Sequence, residues 1–335
     1  MPLRCSGRTW TNGSTLSKLD PMTDTSDDFT IRRATPDDVP LLQAWSCDEP
    51  VAWVDPERLT AELASRNYRP EWSWIAEQDG RPVARALWWG KADANRPATL
   101  DCLTSTVEVA EPERVGAALI RAGLDAFGAG PALEFNVDVS PAWADDAASV
   151  EAVRWRHEAA RAGGFSRTTE RVSFARSSSD PMPARSQRLR FVATPDDAFH
   201  ELFALVATGT LDAHTQDMVA REGLEALADD DLAFYRSLPG ERDAWRVAEL
   251  LDGTIAGFIV PTRTAYDASI SYLGVLPEHR GHGYVHDLLA EMVHVHHGSG
   301  QDRIVGTTDA ANTPMRGAFE RAGFSVTRVR IVHEQ

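Results

Sequence analysis

Hydrophobic and polar positions are most regular between residues 270 and 293. An almost continuous apolar run, 270–276, is typical of a mostly buried β-strand, and Pro277 ends it because proline cannot donate to a sheet ladder. After a turn at 280–283, apolar residues return at helical spacing and predict one buried helix face: Val285, Leu288, Leu289, Met292 and Val293. The stretch is therefore predicted to form a strand, a tight turn and an amphipathic helix.

The same patterns assign elements to the rest of the chain. In its second half, strands are predicted at 188–193, 244–251, 254–262, 303–308 and 325–333, and helices at 195–206, 216–238 and 313–322. Asp252-Gly253 between two of these strands is a strong hairpin signal. In the first half, a hairpin is predicted from 72–77 and 81–89, and a further strand at 99–109.

An internal repeat divides the chain in two. Ala-Thr-Pro-Asp-Asp occurs at 34–38 and again at 193–197, and Gly-Phe occurs at 164–165 and 323–324, so both pairs are 159 residues apart. Two anchors in one register predict two copies of one domain. The predicted division is a disordered tail at 1–28, a first copy at 29–176, a Pro/Ser-rich linker at 177–187 and a second copy at 188–335.

The turn before the predicted helix has the chemistry of an anion site. The first N–H groups of a helix have no partner within the helix and lie at the positive end of its dipole. Gly281 and Gly283 let a phosphate approach that backbone closely, and Arg280 adds a positive charge.

Two motifs in this half resemble those of one known family. Residues 278–283, Glu-His-Arg-Gly-His-Gly, resemble motif A of the GNAT acetyltransferase superfamily, Gln/Arg-x-x-Gly-x-Gly/Ala, with Glu278 departing at the first position. Residues 312–324 resemble the later helix of that superfamily, Asn-x-x-(Ala/Met)-x-x-x-Tyr-x-x-x-Gly-Phe. The resemblance implies an α/β (α+β) fold, with two tandem domains that each have a mixed central sheet flanked by helices. It also implies acetyl-CoA as the co-substrate.

The resemblance further implies where acetyl-CoA binds. The pantetheine arm would follow the end of the core strand, the pyrophosphate would lie on the turn, and the later helix would complete the site. The implied cofactor-binding residues are Leu273, Gly274, Val275, Arg280, Gly281, His282, Gly283, Tyr284, Val285, Asn312 and Phe319. In the first copy, Glu113, Gly116 and Ala118 repeat part of motif A, but Val115 replaces the arginine and Val153 falls where Asn312 would be. The first copy is therefore predicted to be degenerate for the cofactor.

The reaction implied is direct attack of an amine on acetyl-CoA. Because an alkylamine is mostly protonated at neutral pH, a base or a water chain must remove a proton, and Glu249 and Asp267 are the carboxylates in reach by topology. Many members of the superfamily place a tyrosine acid where this chain has Phe319. Tyr272, Tyr284 or water could supply that proton instead, or the thiolate could leave unprotonated. The run Asp229–Asp231 is interpreted as solvated surface. No metal site is predicted from His286, His294, His296 and His297, since among the last three only His294 and His297 are neighbours at i, i+3, and no cysteine joins them.

Composition narrows the range of possible binding partners. A net charge of −16 and a pI of about 5.0 argue against nucleic acid and acidic membrane surfaces as partners. Three cysteines and no long apolar run favour a cytoplasmic protein. The sequence therefore predicts a monomeric N-acetyltransferase that acts on a small-molecule amine through its second copy. The alternatives are another acyl group or an O-acyl acceptor, a non-catalytic acyl-CoA sensor, and a protein N-acetyltransferase.

Overall fold

The computed structural model describes residues 29–264 and 267–335, which form strands and helices in both halves of the chain. The predicted tail at 1–28 lies outside them. The first half contains β1 (Thr30–Arg33), α1 (Val39–Gln43), α2 (Pro56–Ala64), β2 (Tyr68–Gln78), β3 (Arg81–Trp89), β4 (Thr99–Ser105), α3 (Pro112–Phe127), β5 (Glu134–Val139), α4 (Ala147–Gly163) and β6 (Arg167–Ser177). The second half contains β7 (Leu189–Val192), α5 (Asp196–Ala207), α6 (Ala213–Ser237), β8 (Arg246–Leu250), β9 (Ile255–Arg263), β10 (Ala268–Val275), α7 (Tyr284–Gly298), β11 (Arg303–Asp309), α8 (Thr313–Arg321) and β12 (Ser325–Glu334).

Helix starts follow the capping residues of the sequence. The side chain of Asp212 accepts a hydrogen bond from the Thr215 N–H and begins α6, and the side chain of Asn312 does the same for Met315 and α8. The predicted helix at 216–238 thus starts three residues earlier than expected. It is also interrupted at Gly223, whose φ of 88° is a backbone conformation that glycine adopts readily and other residues do not.

All described strands join one mixed sheet with a symmetric order. That order is β1-β2-β3-β4-β5-β12-β6-β11-β10-β9-β8-β7. The two central strands, β6 and β12, are the last strands of the two halves, and they pair antiparallel to each other. Each also pairs with the opposite half, β6 with β11 and β12 with β5. The two halves therefore exchange their last strands.

The hydrophobic cores follow this exchange. Val329 and Ile331 of β12 lie in the core of the first half, and Val172 and Phe174 of β6 lie in the core of the second. The prediction of an α/β fold with two tandem units, each a mixed sheet flanked by helices, is confirmed. The residue at which one domain gives way to the next stays a prediction, because each core needs a strand from the other part of the chain.

Within 29–264 and 267–335, no helix combines the length and the apolar character needed to cross a membrane.

Candidate active site

The parallel strands β10 and β11 separate in the middle of the second half. They pair only from Ala268 with Ile304 to Ile270 with Gly306. A β-bulge between Ile270 and Tyr272 then redirects β10, which continues to pair with β9 on its other side as far as Val275. Beyond Ile270, the edge of β10 that faces β11 is consequently available to a ligand.

A groove of about 470 Å³ opens where these strands diverge. Val206, Gly209 and Leu211, around the loop between α5 and α6, form the facing wall. Nine of the eleven predicted cofactor-binding residues line the groove: Leu273, Gly274, Val275, Arg280, Gly281, Gly283, Tyr284, Val285 and Asn312. The sequence thus identified residues that the fold brings together, and their contact with a cofactor stays a prediction.

The remaining two predicted residues lie beside the groove. The His282 ring stacks on Tyr284 at 5.9 Å between centroids, and it is His279 that lines the groove. Phe319 is 1% exposed, stacks on Phe174 at 4.7 Å, and borders a second cavity described below.

The glycine turn has the geometry expected of an anion site. Gly281 and Gly283 have φ values of 80° and 74°, and α7 begins directly after them. A cation that sequence analysis missed lies beside the turn, because Arg188 donates to the His282 carbonyl at 3.0 Å and covers the Tyr284 ring. No local pattern could have identified Arg188, which is distant from the turn along the chain.

The side chain of Arg280 makes contacts that its motif did not indicate. Its Nη1 donates to the carbonyls of Thr208 and Gly209, its Nη2 to Val206 at 2.7 Å, and its Nε to Val275 at 3.2 Å. Arg280 thus fixes the loop between α5 and α6 against the end of β10, and so sets the width of the groove. Its contact with a cofactor stays a prediction.

Replacing this guanidinium should therefore destabilise the protein even when no ligand is present. We expect Arg280→Ala to lower the free energy of unfolding by about 1–3 kcal/mol, since carbonyls lose charge-assisted donors. Urea denaturation of the ligand-free variant measures this loss. A side chain that only binds phosphate would leave the stability of the ligand-free protein unchanged, and that result would contradict the bracing role.

The groove leads into a smaller acidic cavity of about 230 Å³. The two share five lining residues, which form the passage between them: Val206, Thr210, Leu273, Asn312 and Met315. Asp212 and Asp231 supply negative charge to the inner cavity, and Tyr235, Tyr272 and Phe319 supply aromatic walls. We call this inner cavity the acidic pocket.

Asp231 is the least compensated charge in the acidic pocket. Its Oδ2 is buried, and no hydrogen-bond partner lies within reach among the described residues. Burial raises the pKa of Asp231 to about 7, and the negative charges of Asp212 and Asp230 add to the shift. The other acidic groups are engaged, because Asp212 caps α6 and Asp309 accepts the Ala213 N–H at 2.8 Å.

The interpretation of the aspartate run as solvated surface is thus right for Asp229 and Asp230, which are exposed, and wrong for Asp231. Asp231 follows the buried Leu227 by four residues and Ala228 by three, so it lies on the inner face of α6. That spacing was the signal available in the sequence.

The predicted catalytic residues are separated by the fold. Tyr272 lines the acidic pocket, and burial followed by the negative charge of Asp231 raises the pKa of its hydroxyl above the usual range. Glu249 instead pairs with Arg190 at 2.5 Å on the neighbouring strand β7, and Asp267 pairs with Arg303 at 2.6 Å at the opposite end of β10. Neither carboxylate lines the groove or the acidic pocket, so the structure does not support them as bases.

The equivalent gap in the first half is filled. There β4 and β5 pair at Thr99 and Leu100 and then separate, as β10 and β11 do. Arg156 of α4 is 2% exposed, and it donates to the Leu103 carbonyl at 3.0 Å and to Glu49 at 2.5 Å. The Trp155 indole donates to the same carboxylate at 2.6 Å. Side chains of α4 thus occupy the edge that is free in the second half.

The first-half residues taken as a remnant of motif A belong to a different element. Glu113, Val115, Gly116 and Ala118 lie inside α3, not in the turn before it. A Cβ on Gly116 would press on Ala159, so this glycine serves helix packing. Val153 likewise lies within α4 and does not cap it.

Two histidines of α7, His294 and His296, have hydrogen-bond partners. His296 Nε2 lies 3.0 Å from the Ser269 carbonyl, and His294 Nε2 lies 2.8 Å from that of Pro183. In the described part of the chain, no group of three histidine, cysteine or acidic residues could hold a metal ion.

One family model and several solved structures are similar to this chain. Residues 213–324 match the model of the acetyltransferase (GNAT) family. Among solved structures, a GCN5-related N-acetyltransferase from Sphaerobacter thermophilus superposes with a TM-score of 0.58 at 17% identity, over 92% of this chain and 96% of that one. A glucosamine N-acetyltransferase region of a fungal multi-domain β-N-acetylglucosaminidase gives 0.51 at 13% identity, over 91% and 38%. A tandem GNAT protein from the clavulanic acid pathway gives 0.46 at 18% identity, over 91% and 98%. No curated protein sequence matches.

Proposed function

We propose that the second half of this chain, in which residues 213–324 match the model of the acetyltransferase (GNAT) family, transfers the acetyl group of acetyl-CoA to a small-molecule amine. The observation that carries the proposal is the continuity of two cavities. The groove beside the free edge of β10 opens, past Leu273 and Asn312, into the acidic pocket. A thioester held in the groove would thus meet an amine held in the pocket.

The groove suits acetyl-CoA for two physical reasons. The free edge of β10 after Ile270 offers backbone groups to which an extended pantetheine arm can add like a further strand. The start of α7, with Gly281 and Gly283 before it, offers N–H groups and a positive dipole end to the pyrophosphate. Arg188 lies beside the turn, where it donates to the His282 carbonyl and pairs with Asp287.

The acidic pocket suits an amine. Asp212 and Asp231 favour a cation, and the aromatic rings of Tyr235, Tyr272 and Phe319 can pack against its carbon skeleton. A volume of about 230 Å³ fits a compact molecule better than a folded protein surface.

The first half contributes to this site without binding a cofactor of its own. Its exchanged strand β6 supplies Arg171, which lines the acidic pocket and faces Asp309 at 3.4 Å. As part of the same proposal, the chain works as a cytoplasmic monomer, with neither nucleic acid nor membrane as a partner.

We expect calorimetric titration with acetyl-CoA to give one site per chain, because Trp155 and Arg156 fill the gap in the first half. The double variant Gly281→Val/Gly283→Val should abolish this site, because valine is strained at the positive φ of both positions and the turn must change shape. Two sites would show that the first half binds as well. No binding up to millimolar acetyl-CoA would refute the proposed function.

Release of CoA thiol in the presence of amines then separates an enzyme from an acyl-CoA sensor. A transferase releases thiol only when acetyl-CoA and an amine are both present. Binding of acetyl-CoA without release for any amine, alcohol or peptide offered would favour the sensor. Comparing acetyl-CoA with longer acyl-CoA compounds identifies the acyl group.

A further inference from the structure

We propose that Asp231, on the inner face of α6, accepts the proton that the acceptor amine must lose before it attacks the thioester. The assignment rests on the proposed acetyl transfer and adds to it the residue that performs the deprotonation. Sequence position alone favoured Glu249 and Asp267, which the fold directs elsewhere.

The first argument is placement. Asp231 lines the acidic pocket together with Leu273 of the free β10 edge and with Phe319. Leu273 lines both cavities, so the pocket adjoins the place where a thioester in the groove would end. A carboxylate here faces the amine and not the nucleotide.

The second argument is the unused oxygen. A buried carboxylate oxygen without a donor is costly, and folded proteins rarely keep one. Asp231 Oδ2 is such an atom within the part of the chain that the structure describes. Asp212 accepts both the N–H and the hydroxyl of Thr215. Asp309 accepts a backbone N–H and lies against Arg171, so of these carboxylates Asp231 is the one with an oxygen left for an amine.

The third argument is the electrostatic setting. The charged and titratable groups around the pocket come from four elements, β6, α6, β10 and β11. They are Arg171 on β6, Asp212 and His214 at the start of α6, Asp230 and Tyr235 within it, Tyr272 on β10 and Asp309 on β11. Burial, and then Asp212 and Asp230, set the pKa of Asp231 to about 7. A general base is most effective when its pKa lies near the working pH.

The chemical step balances with this one base. The amine enters as an ammonium ion, gives one proton to the Asp231 carboxylate, and attacks the thioester carbonyl carbon with the electron pair that is freed. A C–N bond forms and the C–S bond breaks, with its electron pair going to sulfur. The nitrogen loses a second proton, and the CoA sulfur gains one. Asp231 then returns its proton to the solvent.

The test compares Asp231→Asn with Asp230→Asn, an equal change of charge and size at the exposed neighbouring position. The probes are butylamine, phenethylamine and spermidine, each with acetyl-CoA, and the readout is release of CoA thiol between pH 5 and 9. We expect Asp231→Asn to lower kcat/KM about 10²- to 10⁴-fold. It should also remove the rise of wild-type activity with a midpoint near pH 7, while Asp230→Asn keeps the activity and moves that midpoint to a lower pH, because the negative charge of Asp230 adds to the pKa shift of Asp231. Calorimetric affinity for acetyl-CoA should be the same in all three proteins.

A substrate-independent measurement decides the matter if none of these amines reacts. The ¹³C carboxyl resonance that is absent from Asp231→Asn should titrate near pH 7 in the wild-type protein. Titration near pH 4, or wild-type rates with an unchanged pH profile in Asp231→Asn, would overturn the assignment. Absence of acetyl-CoA binding refutes the proposed function instead, so the two failures are distinguishable.

The thermal stability of Asp231→Asn shows whether this variant folds. Because the folded pKa of Asp231 lies above its unfolded value of 3.8, the unfolded state binds fewer protons between about pH 4 and pH 7, and the contribution of this group to stability falls as pH rises through that window. The Asn variant lacks this penalty. It should therefore melt at a higher temperature than wild type at pH 8, with a smaller difference at pH 5.

Discussion

Cutting the linker between the two halves is expected to leave them bound to each other as one particle. The reason is the strand exchange at the centre of the sheet, where β6 pairs with β11 and β12, and β12 pairs with β5 and β6. Val329 and Ile331 would leave the first core if the halves parted, and Val172 and Phe174 would leave the second. Asp138 also pairs across the boundary with Arg328 and Arg330 at 2.9 and 2.7 Å.

The cut is made at a protease site inserted between Ala184 and Arg185, which are both exposed. Size-exclusion chromatography of the cleaved protein should give one peak that contains both fragments, and denaturant should unfold them in one transition. Two peaks, each with a cooperative transition of its own, would mean that each half folds without the borrowed strand.

A truncation tests the same exchange from the other side. A chain that ends at Phe324 lacks β12, which is the last strand by sequence but completes the first-half sheet. Trp72, Trp74 and Trp88 lie in the first-half core. Their fluorescence should therefore report the loss of β12, although the deletion removes only residues at the far end of the chain.

Elements defined by neighbouring residues could be predicted from the sequence. Pro277, the two glycines of the turn and the 3.6-residue periodicity from Val285 to Val293 together specify strand, turn and helix, and the structure has them within one or two residues. The glycine turn and the start of α7 depend on contacts that are short along the chain, so local physics decides them.

The strand exchange could not be read in the same way. Because β6 and β12 end equivalent copies, the sequence of either strand is compatible with either sheet. Which sheet accepts which strand depends on the path of the linker and on packing across the whole molecule. The repeat therefore predicted two units correctly but was silent about how they share strands.

The lining of the groove could be predicted from the sequence, and that of the acidic pocket could not. Arg280 was identified by its motif, yet the carbonyls that hold its side chain belong to Val206–Gly209, more than 70 residues earlier in the chain. Asp231 was hidden inside a run of three aspartates, of which two are solvated. A carboxylate acquires its role from burial and from neighbours on β10 and β11, and such long-range contacts leave little trace in spacing.

Gly257→Ala is expected to weaken the proposed binding of acetyl-CoA from a position outside the groove. Gly257 of β9 pairs with Val275 of β10, at the point where β10 has already left β11. A Cβ at residue 257 would overlap the carbonyl oxygen of Gly274. Since both overlapping groups belong to the backbone region of paired strands, no side-chain rotation relieves the contact, and β9 and β10 must separate.

We estimate a loss of roughly 3 kcal/mol in stability for this overpacking. An acetyl-CoA affinity at least about tenfold weaker should follow, since a shift worth 1.4 kcal/mol at Leu273–Val275 suffices. Urea denaturation and calorimetry measure the two effects. Gly298→Ala is the matched control, because a Cβ at the end of α7 meets open space.

The two measurements together show how the free edge of β10 is held in place. If Gly257→Ala loses stability but keeps its affinity for acetyl-CoA, then β10 shifts with its free edge intact, and contact with β9 does not position the groove. If affinity falls in step with stability, the contact between Gly257 and Gly274 positions the groove. We expect the second result, because beyond Ile270 the described pairing of β10 is with β9 alone. Because this part of β10 is hydrogen-bonded to β9 alone, it can present its other edge to a cofactor only if β9 stays close and in register.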